Sequence, residues 1–173
     1  MGGYSRPVPL APEHQLDEFD CESPAQTDWL RRFARVAQAS DTSKVYVVTT
    51  EEDLKRVVAY YALATGGIDQ AEASERIRKG TGAYAVPAII LTRLGVDKTA
   101  AGQGVGRSLV RDALIRVERA ASIVGVRALL VHAESPEARD FYRHIAEFDE
   151  SPVDRHQLML LMKDIRAMLR AGP

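Results

Sequence analysis

Three glycines, Gly102, Gly104 and Gly106, alternate with Gln103 and Val105 in the stretch LGVDKTAAGQGVGRSLVR, which spans residues 94–111. An apolar, β-rich run (residues 88–96) leads into this loop, and the loop opens directly into an amphipathic helix. Without a Cβ the backbone turns sharply and approaches a ligand closely. The first N–H groups of the helix lack intrahelical partners and sit at the positive end of its dipole. Strand, glycine loop and helix start together form an anion site, most naturally for a pyrophosphate. The plainer reading of the same residues is a loop that merely turns the chain.

Two common phosphate loops are excluded. A P-loop closes on Gly-Lys-Ser/Thr, whereas Gly106 is followed by Arg107 and Ser108. A dinucleotide fingerprint needs GxGxxG, and the spacing here is GxGxG. Other chemistry has little support. His132 and Glu134 are candidate bases at the end of a strand, but a lone His there is more often structural. The single cysteine, Cys21, has no adjacent His pattern that would make it a nucleophile, so a packing or helix-entry role is expected. His14, His144 and His156 show no metal spacing, and no metal is expected.

Leu94-Gly95-Val96-Asp97 followed by Ala101-Gly102-Gln103-Gly104-Val105-Gly106 resembles the coenzyme A pyrophosphate loop of the GNAT N-acetyltransferases. That loop reads Gln/Arg-x-x-Gly-x-Gly/Ala after a hydrophobic-x-Val-Asp strand end. The chain departs from it at Ala101, where the family carries a long basic or amide side chain. Phe19-Asp20-Cys21, Asp28-Trp29-Leu30, Val45-Tyr46-Val47, residues 57–63, Phe141-Tyr142 and Ser151-Pro152-Val153-Asp154 are similar in order and spacing to one GNAT subfamily, the toxins of bacterial toxin–antitoxin modules. The resemblance covers residues 10–163. It implies an α/β GNAT fold: a central mixed, mostly antiparallel sheet with helices on both faces, and a splayed parallel pair at the acetyl-CoA site. It also implies direct acetyl transfer from acetyl-CoA, the co-substrate, to an amine. Leu94, Val96, Ala101, Gly102, Gln103, Gly104, Val105, Gly106, Arg107 and Phe141 would then contact the coenzyme. The Val96 N–H would polarise the thioester carbonyl, and Tyr142 would protonate the departing thiolate. A phenol with a reference pKa of about 10 stays protonated at neutral pH and can hydrogen-bond a thiolate with pKa near 8.5 as it forms.

The lack of a convincing base bears on the acceptor. Deprotonating a lysine at pH 7 costs about 4.6 kcal/mol, but an α-amine costs only about 1.1 kcal/mol. A site without a strong base therefore prefers α-amines, which agrees with the toxin subfamily, whose members acetylate aminoacyl-tRNA and halt translation. Arg31, Arg32 and Arg35 on one expected helix, and Arg76, Arg78 and Lys79 on another, would receive the acceptor-stem phosphates. The resemblance further implies a small ribbon-helix-helix antitoxin and a homodimer. Two alternatives stay open: a GNAT enzyme acting on a small amine or a protein N-terminus, and a coenzyme-A-binding module weakened at Ala101.

The elements that must position these residues follow from periodicity. Residues 8–10 are a possible short strand. Residues 24–39 read as one helix, with Trp29, Phe33, Val36 and Ala37 on its buried face. Residues 44–50 and 55–64 form a hairpin about Glu51-Glu52-Asp53, leading into Thr65-Gly66-Gly67. Residues 69–79 are a polar helix stopped by Gly80-Thr81-Gly82. Residues 87–96 are a central strand. The best helix is 104–124, with Val110, Ala113, Leu114, Val117, Ala121 and Val124 buried and Gly125 as its C-cap. Residues 126–132 form a strand parallel to the previous one. Residues 136–145 are a helix, 157–162 a last strand, and 163–170 a terminal helix or tail.

Composition limits the remaining possibilities. At 173 residues with 46% hydrophobic and 27% charged content, the chain is expected to be one acetyltransferase domain over residues 1–173. A net charge of −1 argues against a uniformly basic nucleic-acid binder. No apolar run reaches the length of a membrane span or a signal-peptide core, and one cysteine suits a reducing compartment, so a cytoplasmic location is expected. Residues 1–5 read as a frayed end.

Overall fold

The computed structural model describes residues 3–172. In chain order it contains β1 (Val8–Pro9), α1 (Pro24–Arg32), α2 (Ala34–Ala39), β2 (Lys44–Thr49), β3 (Val57–Ile68), α3 (Glu75–Arg78) and β4 (Val86–Val96). A 3-10 turn (Lys98–Ala100) then precedes α4 (Val105–Ala121), β5 (Ala128–His132), α5 (Pro136–Ile145), β6 (Asp149–Glu150), β7 (Gln157–Leu161) and α6 (Met162–Ala171). The strands form one seven-stranded sheet in the order β1-β2-β3-β4-β5-β7-β6. The pairs β1–β2, β2–β3, β5–β7 and β6–β7 are antiparallel, and β4–β5 is parallel, as the crossover through α4 requires. The parallel register runs from Ala88↔Ala128 to Leu91↔Val131 and stops there, while β4 continues to Val96.

The chain divides into two compact units. The first holds residues up to Ala64 together with Thr92–Ala113. Its core gathers Leu16, Phe19, Leu30, Ala34, Val45, Val47, Val57 and Tyr60, with Trp29 packed against it. Tyr60 organises the aromatic part: Phe19 meets it edge-on at 5.5 Å and Trp29 stacks on it at 6.0 Å. The second unit holds Thr65–Leu91 and Leu114–Pro173. Its core gathers Ile68, Ala73, Ile77, Val86, Ala88, Ala128, Leu130, Met159 and Leu161.

Several sequence expectations need correction. The helix expected over residues 24–39 breaks at Phe33, whose φ of −120° and ψ of −20° cap α1 and start α2. The buried stripe is Thr27, Leu30 and Ala34, which keep helical spacing across the break, and not the face of Phe33 and Val36, which stand 52% and 68% exposed. β3 runs through Thr65, Gly66 and Gly67 to Ile68, because a fully buried Ile68 anchors its end. The polar helix over 69–79 shrinks to the single turn of α3, capped by the Ser74 hydroxyl, since a polar run has little apolar face to bury. α4 ends at Ala121, and Val124 is exposed. Its last turn closes through Ser122, whose hydroxyl donates to the Arg119 carbonyl and whose N–H bonds back to Glu118 and Arg119, so Gly125 is not the cap. Tyr4 and Ser5 are paired with Thr50 and Thr49, so they are not frayed; Met1 and Gly2 lie outside the described residues. The short strand β6 carries too few residues for periodicity to register.

Leu30 is fully buried and Val36 is not. Leu30→Ala is expected to lower unfolding free energy by about 2–5 kcal/mol, and Val36→Ala by less than about 0.5 kcal/mol. Urea titration of both variants checks which face of α1 and α2 is buried.

Candidate active site

The glycine loop of the first unit is held by one buried side chain. Asp97, 2% exposed, follows directly on β4. Its carboxylate accepts the Asp20 N–H at 2.8 Å, the Thr99 N–H at 2.9 Å and the Thr99 hydroxyl at 2.7 Å. Its own N–H donates to the Val58 carbonyl at 2.8 Å, and its backbone bridges to Cys21. Lys98 doubles the link, donating its N–H to the Asp20 carbonyl and pairing with the Asp20 carboxylate at 3.1 Å. Burial disfavours the Asp97 charge, but the hydrogen bonds from Thr99 and Asp20 outweigh it, with help from the Arg56 charge, and hold the carboxyl below its ordinary value.

Beyond this anchor the backbone turns through Ala101, then Gly102 (φ 73°) and Gly104 (φ 79°), a region open to glycine. A Cβ on either glycine would meet nothing within 4 Å, so backbone conformation rather than crowding requires glycine there. No N–H group of Gly102, Gln103 or Gly104 donates to another described residue. The Ser108 N–H closes the first helical turn onto the Gly104 carbonyl, which leaves the N–H groups of Val105, Gly106 and Arg107 without intrahelical acceptors. Six consecutive N–H groups, 102–107, therefore stand available at the positive end of a seventeen-residue helix. A row of backbone N–H groups of this kind can receive an anion. Ala101 and the Arg107 side chain are exposed beside it, and Leu94 and Val96 are half-buried on the strand that leads in.

Sequence reasoning missed the amino-terminal contribution. The Tyr4 hydroxyl donates to the Gln103 side-chain oxygen at 2.8 Å, across 99 residues. A hollow of about 260 Å³ opens there, lined by Tyr4, Arg6, Gln103, Val105, Ser108 and Leu109. That volume lies below the roughly 300–1,000 Å³ of whole small-molecule pockets, so it suits a fragment of a ligand. Nothing in the periodicity of residues 1–7 signals this contact.

In the second unit, Ser135 caps α5 by accepting the Ala138 N–H at 3.1 Å, and Pro136 starts the helix. Tyr142 is buried in the last turns of α5, with Phe141 edge-on at 5.1 Å and Phe148 at 6.0 Å. Its hydroxyl bonds to no other described residue. Burial, and then the nearby Glu134 carboxylate, push its pKa well above the ordinary phenol value. Tyr142 is thus a neutral hydroxyl with a spare proton across any practical assay pH.

The cationic residues divide into two groups. Arg31 and Arg32 on α1, and Arg78 and Lys79 at α3, are exposed. Arg35 is already engaged, donating to the carbonyls of Ala11 and His14. Arg76 is engaged with Asp149 at 3.3 Å and Asp164 at 3.0 Å. Both side chains stay exposed while making these contacts within their own units. Cys21 is buried, its sulfur near the Ser23 carbonyl and the Thr27 hydroxyl at 3.3 Å, as a helix-entry residue. His132 and Glu134 are exposed, and the His14 ring accepts the Ala11 N–H. Among the described residues no three His, Cys, Asp or Glu side chains cluster as metal ligands, and no helix is long and apolar enough to cross a membrane.

Residues 10–148 match the acetyltransferase (GNAT) family. The chain belongs to that family. This acetyltransferase is 41% identical over 169 residues to a tRNA-acetylating toxin of Mycobacterium tuberculosis, covering 98% of this chain and 99% of that one. It is 30% identical over 125 residues to a probable toxin, TacT, of Sinorhizobium fredii, covering 71% and 68%. Among solved structures, a tyrosine-to-phenylalanine variant of KacT superposes with a TM-score of 0.88 at 23% identity, over 96% of this chain and 99% of that one. AtaT complexed with acetyl-methionyl-tRNAfMet superposes at 0.86 and 24% identity, with the same coverage. The seven-stranded mixed sheet with its parallel β4–β5 pair is thus the GNAT fold.

The Asp97 geometry carries a pH signature. Because its folded pKa is depressed, its contribution is present above the ordinary carboxylate pKa and is lost as pH falls through the lower, folded value. Asp97→Asn is expected to cost about 1–3 kcal/mol near neutrality and to flatten the loss of stability below about pH 4. Urea unfolding of both proteins at several pH values measures this.

Proposed function

We propose that this acetyltransferase moves the acetyl group of acetyl-CoA onto the α-amine of an aminoacyl-tRNA, and so blocks translation until an antitoxin neutralises it. The observation that carries this reading is the 41% identity, end to end, with a tRNA-acetylating toxin. The backbone N–H groups 102–107 hold the pyrophosphate of the donor, with Leu94, Arg107 and Phe141 as further coenzyme contacts. The neutral α-amine attacks the thioester carbonyl carbon, forming the C–N bond, and the Val96 N–H takes the charge that develops on oxygen. Collapse breaks the C–S bond, and the Tyr142 hydroxyl gives its proton to the departing sulfur. The proton released by the amine nitrogen restores the phenol, so amine and thioester become amide and thiol. The raised pKa suits this role, because the phenol is never lost as a donor through ionisation. Arg31, Arg32, Arg78 and Lys79 receive RNA phosphates. The chain works as one acetyltransferase domain in the cytoplasm, where charged tRNA is found, as a homodimer bound by a ribbon-helix-helix antitoxin.

The test is transfer of labelled acetyl from acetyl-CoA to a charged-tRNA pool, with uncharged tRNA as control. Label on charged tRNA alone, released by mild base, is expected. Tyr142→Phe should lower turnover about 10²–10⁴-fold with the fold intact. Label on small amines without RNA would replace the proposed acceptor. Ala101→Arg restores the long side chain that the family pattern carries, and should tighten acetyl-CoA binding by roughly tenfold, measured by titration calorimetry.

A further inference from the structure

We infer that Phe33, at the break between α1 and α2, is a stacking platform for an unpaired base of the RNA acceptor; this rests on the tRNA reading above. The ring is half open to solvent, off the buried face formed by Thr27, Leu30 and Ala34. Its backbone is held on both sides: the Phe33 N–H bonds to the Trp29 carbonyl at 2.9 Å, and its own carbonyl accepts the Ala37 N–H at 3.0 Å. Arg32 lies over the ring, its guanidinium carbon 5.6 Å from the centroid. The two helices carry three arginines against a single acid, Asp28, in a chain whose net charge is −1. Arg35 is spent tying α2 to the carbonyls of Ala11 and His14, which holds the platform still. Arg31 has no ion pair among the described residues.

Charge and size together select the occupant. An exposed aromatic ring beside an arginine plane is what single-stranded bases stack on, and the flanking cations match phosphates. A protein partner would need a wider apolar patch; here only Phe33 and Val36 are exposed large apolar residues on the two helices. A base needs only one ring face.

The experiment measures tRNA binding by fluorescence anisotropy for the full chain and for Phe33→Leu, Phe33→Trp and Arg32→Ala, with thermal melting to confirm folding. Phe33→Leu keeps apolar bulk and removes the π face. It should weaken tRNA binding on the order of tenfold, since a stacked base contributes about 1–3 kcal/mol. Its salt dependence should match wild type, because stacking releases no counterions, whereas Arg32→Ala should flatten the salt slope. Phe33→Trp should bind at least as tightly as wild type, and acetyl-CoA affinity should hold throughout. Unchanged tRNA affinity in Phe33→Leu overturns the inference while leaving the tRNA reading intact. Loss of self-association or of antitoxin binding, with tRNA affinity unchanged, would assign the ring to a protein contact instead. A wild-type protein that neither binds nor acetylates charged tRNA would overturn both.

Discussion

The buried carboxylate of Asp97 is the constraint on which the rest of the first unit depends. It sits where a strand must stop and a loop of exposed backbone must begin. Such a loop has little apolar surface of its own to hold it. One side chain solves this by accepting three hydrogen bonds, one from a distant segment at Asp20 and two from its own 3-10 turn at Thr99. The charge is costly to bury, yet the donors outweigh the cost. The glycines beyond it are then free to point their N–H groups outward, since none is needed to hold the fold.

Legibility from sequence followed the physics of each element. The α4 start and the parallel strand behind it were readable because a long apolar stripe and a crossover helix agree, and α5 was readable as a short helix. α5 matches its expected bounds residue for residue, with Ser135 and Pro136 marking its start. Phe33 misled because large apolar side chains were read as the buried face, whereas the stripe that packs is the smaller set Thr27, Leu30 and Ala34. Tyr4 was invisible because its partner, Gln103, lies 99 residues away, and only tertiary structure makes them neighbours. Arginine clusters were legible as charge but not as commitment. Arg31 and Arg35 look alike in the sequence and both are exposed, yet only Arg35 is tied to backbone carbonyls.

The two chemical jobs rest on different physical resources. In the proposed mechanism anion holding rests on backbone dipoles, to which a long side chain at position 101 would add a further contact. Proton donation, as proposed, rests on one hydroxyl in a buried aromatic setting, where Phe141 and Phe148 supply shape. The first resource is distributed over six residues, and the second is concentrated in one.

That concentration has an evolutionary consequence. The Tyr142 hydroxyl satisfies no other described residue, so its removal strands no buried partner, and the remaining ring still fills the same space. Tyrosine and phenylalanine codons differ by a single base. With Tyr142 as the proposed donor, a lineage could silence the chemistry in one step while keeping a folded protein, and under selection against the activity this would be among the shortest routes open to it.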